Sequence, residues 1–184
     1  MPHLRRLSLC GWFDALLGLW SDRFSAPALD ELVLDQYDGL TAATFFEHTC
    51  STVTKLTLSG NDLRGVEAAA FRPLRHVRKL IVEDCKVHDS FFHALATEDY
   101  SFPAAPWIFP ALCDIELEET KVAPEGSDGI VRLIRARREA MESASSGASA
   151  DRPAPASLQT VSMTDDTKVA RWVRLMVLDE MQRT

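Results

Sequence analysis

Six heptapeptides in this chain carry the same spacing of aliphatic residues, and a chain that repeats such a run at a near-constant interval has few folds open to it. The runs are LRRLSLC from Leu4, LDELVLD from Leu29, VTKLTLS from Val53, VRKLIVE from Val77, LCDIELE from Leu112 and LQTVSMT from Leu158. Each places an aliphatic side chain, or Met163 once, at its first, fourth and sixth positions. That spacing is too irregular for a simple alternating strand and too tight for a helix stripe. Successive starts lie 25, 24, 24, 35 and 46 residues apart. The two long intervals contain the insertions TEDYSFPAAPWIFP (97–110) and ESASSGASADRPAPAS (142–157). The second is rich in Ser, Ala and Pro and reads as a flexible linker. Without them the regular period approximately returns.

A period of about 20–29 residues with Asn or Cys at the ninth position is the leucine-rich repeat pattern. Here the ninth position is Asn61 in the third copy and Cys85 in the fourth, while Trp12, Tyr37 and Asp166 depart from it. Position eleven is apolar at Leu63, Val87 and Val122. The expected fold is therefore α/β: a short leucine-rich repeat solenoid of about six repeats, a single unit over 1–184. A curved parallel sheet would line its concave face, with helices and turns on the convex face. One such coil cannot balance the backbone entropy of ordering its residues, about 1–2 kcal/mol each, so neighbouring coils must fold together.

Helical spacing appears in DALLGLW (14–20), TAATFFEH (41–48), VEAAAFRPL (66–74) and DSFFHALA (89–96), with Thr41 and Asp89 as N-cap candidates. Phe45, Phe71 and Phe92 are expected to pack against the strand leucines. Longer helices are expected over GIVRLIRARREAME (129–142) and over 167–182, with Asp165 and Asp166 at the start of the last one. Its stripe of Val169, Trp172, Val173, Met176 and Val177 is suited to seal the end of the stack.

The formal net charge of −7 argues against nucleic acid or an anionic membrane as a partner. The one basic run, RLIRARRE (132–139), reads as a solvated helix face or a binding patch. No stretch of 18 apolar residues occurs, and the N-terminus lacks the pattern of a signal peptide. Cys10, Cys50, Cys85 and Cys113 are widely spaced without a CxxC pair. Reduced thiols and a cytoplasmic or nuclear location are expected.

Positions three, five and seven of each run should face away from the core. The candidate partner-binding residues there are Glu31, Val33, Asp35, Lys55, Lys79, Ile81, Glu83, Asp114, Glu116 and Glu118. Opposite charges should pair laterally, Glu31 with Lys55 and Lys79 with Asp114. The run DIELEE gathers like charges on one strand, which either docks a basic protein segment or is a solvated face. Tyr100, Phe102, Trp107 and Phe109 crowd the first insertion. They either pack back over the edge of the stack or bind a partner, with Tyr100, Phe102 and Trp107 as the loop candidates.

No G-x-S-x-G run or phosphate loop is present, and the spacing of Cys85, His88 and His93 matches no standard zinc pattern. The expectation is a non-enzyme with no cofactor and no metal.

The runs LDELVLDQYDGL and VRKLIVEDCKV, together with FPALCDIELEETKV (109–122) and the helix after it, resemble the leucine-rich repeat region of fungal-type F-box proteins. The resemblance covers roughly residues 4 to 178. It implies a substrate-recognition region of a ubiquitin ligase receptor, with ligase subunits as partners where an F-box lies upstream. No F-box is visible in the chain itself. The other expectation is a degenerate or truncated repeat fragment with a structural role only.

Overall fold

The computed structural model describes residues 1–11, 24–37, 43–102, 106–124, 126–145 and 154–183. The segment 14–20, the N-cap candidate Thr41, Trp12 at position nine of the first run and half of the second insertion lie outside them.

Each heptapeptide forms a strand from its third position onward. These are β1 (Arg6–Cys10), β2 (Glu31–Asp35), β3 (Lys55–Ser59), β5 (Lys79–Glu83), β7 (Asp114–Glu118) and β9 (Thr160–Met163). They form one six-stranded parallel sheet in that order, so each strand lies beside the strand of the next run. Register follows the alignment residue for residue: Arg6, Glu31, Lys55, Lys79, Asp114 and Thr160 stand abreast. The short strands β4 (Asp62–Leu63), β6 (Lys86–His88) and β8 (Lys121–Ala123) form a second parallel sheet. Leu63, Val87 and Val122 are its buried residues.

Five helices are described: α1 (Ala43–Thr49), α2 (Gly65–Ala70), α3 (Asp89–Ala96), α4 (Gly129–Ser145) and α5 (Arg171–Gln182). The apolar positions of the inner runs, from Leu29 to Leu158, are almost wholly buried against this layer. Each such side chain stabilises the fold by about 1.5–3 kcal/mol. At the sheet edges the same positions are only half covered, as Leu4, Leu7, Val161 and Met163 show. Between the layers runs an aromatic row in which Phe71 lies 5.8 Å from Phe46 and 5.9 Å from Phe109, centroid to centroid.

The corners are held by side-chain hydrogen bonds with one geometry. At position nine, Asn61 Nδ2 donates to the carbonyl of Leu34, Cys85 Sγ to that of Leu58, and Thr120 Oγ1 to that of Val82. Each acceptor is the sixth residue of the preceding run. In the last run Thr167, one place beyond Asp166, donates to Leu117. Position eight takes a left-handed backbone at Gly11, Gln36, Gly60, Asp84 and Glu119.

Several expectations need correction. The last helix begins at Arg171, so Asp165 and Asp166 sit in an exposed turn before it. Asp89 is the first residue of α3 and not its cap; it accepts instead from the Ser127 hydroxyl. The insertion 97–110 contributes to the core, because Trp107, Ile108 and Phe109 are buried.

The basic run is a solvated face only in part, with Arg132, Arg135 and Glu139 exposed. Arg137 is 0% exposed, its guanidinium donating to the carbonyls of Ile108 and Phe109. Burial draws its pKa down to about 10, still charged at neutral pH. Arg135 and Arg138 converge on the buried carboxylate of Glu180, at 2.6 and 2.8 Å. The partners of these arginines lie about 30 to 45 residues away in sequence, beyond the reach of a helical-spacing argument.

Candidate functional site

Strand alternation turns positions four and six inward and sends three, five and seven to the other face of the sheet. Every side chain named there from the sequence stands on that face, because the register is continuous from β1 to β7. Its first column begins with an ion-pair chain: Glu31 pairs with Arg6 at 3.6 Å and with Lys55 at 2.7 Å.

The expected pairing of Lys79 with Asp114 is not what forms. Asp114 stands abreast of Lys79, but the lysine reaches Glu116 at 2.8 Å. The short aspartate arm holds its carboxylate near the backbone, while the longer glutamate meets the lysine ammonium on the diagonal. The hydrogen bond to Glu116 raises the Lys79 pKa, helped by the charges of Asp114 and Glu118. Three basic residues, Arg6, Lys55 and Lys79, thus face six acidic ones, Glu31, Asp35, Glu83, Asp114, Glu116 and Glu118. Among the described residues Glu83, Asp114 and Glu118 have no ion pair. Asp84 and Glu119, one residue further on and exposed, extend the acidic rim.

The centre of this face is less polar than its flanks. Val33 and Ile81 flank Thr57 across adjacent strands, and Thr57 is 9% exposed. The two aliphatic residues are half-buried. Asp35 accepts a hydrogen bond from the Cys10 thiol at 2.9 Å, which, with its charge, raises the cysteine pKa. All four cysteines are free thiols.

The aromatic loop does not join this face. Arg72, just past α2, binds Asp99 at 2.7 Å and lies 4.5 Å from the Phe102 ring centroid, which fixes the loop against the helical layer. Tyr100 and Phe102 are exposed there, at 66% and 51%. Trp107 is buried, so it contributes to packing and is removed from the loop candidates. A groove of about 640 Å³ beside the loop is lined by Glu47, Arg72, Arg75, His76 and Phe102. Sequence spacing offered no signal for it, since its lining comes from three separate segments.

No group of His, Cys, Asp and Glu among the described residues is arranged to hold a metal ion. Cys85 is committed to its corner, and His88 Nε2 lies 2.7 Å from Asp62 Oδ1. Among the described residues, no helix is long and apolar enough to cross a membrane. Comparisons with protein-family models, with curated proteins and with solved structures each return no match.

Proposed function

We propose that the chain is a leucine-rich repeat solenoid acting as a non-catalytic protein-binding scaffold in the cytoplasm or nucleus. Its working surface is the open sheet face, and its partner presents a basic segment. The observation that carries this reading is the set of carboxylates Glu83, Asp114 and Glu118, which stand on adjacent strands and form no ion pair among the described residues, Lys79 beside them being paired with Glu116. Like charges on neighbouring strands repel, and a partner that supplies Lys or Arg relieves that repulsion as it binds. The solenoid assignment is supported by the in-register strands and by the repeated corner bonds of Asn61, Cys85 and Thr120. In keeping with the resemblance to fungal-type F-box proteins, the partner would be a substrate of a ubiquitin ligase.

The test is affinity capture from host-cell extract with the unaltered chain and with a Glu83→Lys, Glu118→Lys variant. The expected result is a partner retained by the first, lost from the second and released by salt. Ligase subunits in both captures would support the receptor role. Identical captures from the two chains would overturn the assignment of the acidic face.

A further inference from the structure

Helix α5 was expected to close the stack with its apolar stripe, yet the structure leaves a second stripe facing outward. Val173 and Val177 are buried beneath it, while Trp172, Leu175 and Leu178 are 46%, 58% and 58% exposed. These three recur at three-residue steps and so form one ridge across the outer face of the helix. The ridge borders a shallow groove of about 170 Å³ lined by Val161, Met163, Val177, Leu178 and the side chain of Arg174, beside the edge strand β9. A contiguous apolar surface of this kind marks an interaction site.

The order of residues along the ridge indicates what covers it. Arg171 and Asp179, both exposed, each lie four residues from Leu175, on opposite sides. Trp172 and Leu178 each lie three residues from it. Two copies of α5 laid antiparallel about a twofold axis at Leu175 would therefore set Leu175 against itself and Trp172 beside the other copy's Leu178. Arg171 of each copy would meet the other's Asp179, about 6 Å along the axis from the centre. A twofold interface needs this self-complementarity, in which residue i meets j and j meets i. Within one chain Asp179 pairs with Arg183 at 2.6 Å, but both side chains are exposed, so the aspartate can take a second cation.

We infer that the outer face of α5 is a self-association surface, and that the partner it fits is a second copy of this chain, held antiparallel about Leu175. The surface is separate from the acidic sheet face.

Sedimentation equilibrium of the full chain over a wide concentration range tests this. The apparent mass should rise toward twice that of the chain and stop there. Leu175→Glu should hold it at the monomer with an unchanged melting curve, since the residue is exposed. Arg171→Asp or Asp179→Arg alone should weaken association about tenfold, and the two together should restore it. A monomer at every concentration, assembly beyond a dimer, or association indifferent to Leu175→Glu would each overturn the proposal. So would a monomer that binds a different protein through Trp172.

Discussion

The hydroxyl of Thr120 donates to the carbonyl oxygen of Val82 at 2.9 Å, and the residue is 0% exposed. The bond joins the corner of one run to the strand of the run before it, as Asn61 and Cys85 do elsewhere. Removing the hydroxyl while keeping the shape leaves a buried carbonyl without this donor. Thr120→Val should therefore cost about 1–3 kcal/mol in denaturant unfolding, and Thr120→Ser appreciably less. Equal stability of the valine variant and the wild type would show that the corner bonds do not hold the stack.

The left-handed position eight offers a test of opposite sign. Glu119 has φ 50° there, a conformation that crowds an L side chain, whereas Gly60 meets the same demand at φ 66° without a Cβ. Glu119→Gly should stabilise the protein by about 0.5–1 kcal/mol, and Gly60→Ala should destabilise it by about 1–2 kcal/mol. The alanine Cβ would also come within 3.2 Å of Asp35 Oδ1. Matching melting temperatures for both variants and the wild type would contradict the backbone assignment.

Acid should act through Glu180. The hydrogen bond from Arg138, with Arg135 adding its own and both adding charge, holds the Glu180 carboxyl below its usual range. A depressed folded-state pKa contributes stability that is present above the ordinary glutamate value of about 4.3 and lost as pH falls through the folded value. Glu180→Gln should thus melt below the wild type at neutral pH, with the gap closing under acid. A gap that persists unchanged at low pH would mean that the carboxylate charge is not what ties α4 to α5.

The positions that became strands were legible because their signal is local: Leu56 and Leu58 announce an inward face within one heptapeptide, and the same spacing recurs at the same interval. The open-face candidates were legible for the same reason, since alternation fixes which side each residue takes once the inward set is known. For Trp107 the sequence left packing and partner binding both open, because proline-rich composition says a segment is irregular, not whether its aromatics find a pocket. Trp172 was misjudged because the apolar residues of α5 form two stripes, and helical spacing does not say which one meets the sheet. Asp166 departs from the corner pattern in the sequence, and Thr167, one residue later, takes the corner in its place, its hydroxyl reaching the carbonyl of Leu117.

By itself the sequence determined the strands, their inward faces and the acidic character of the outer one, all of which follow from periods short enough to sit within a single run. Only the tertiary structure decided that Lys79 takes Glu116 over Asp114, that Glu180 gathers Arg135 and Arg138, and that Trp172, Leu175 and Leu178 remain uncovered. Each of these depends on side-chain reach between segments remote in sequence, and packing sets that reach only after the chain has closed on itself.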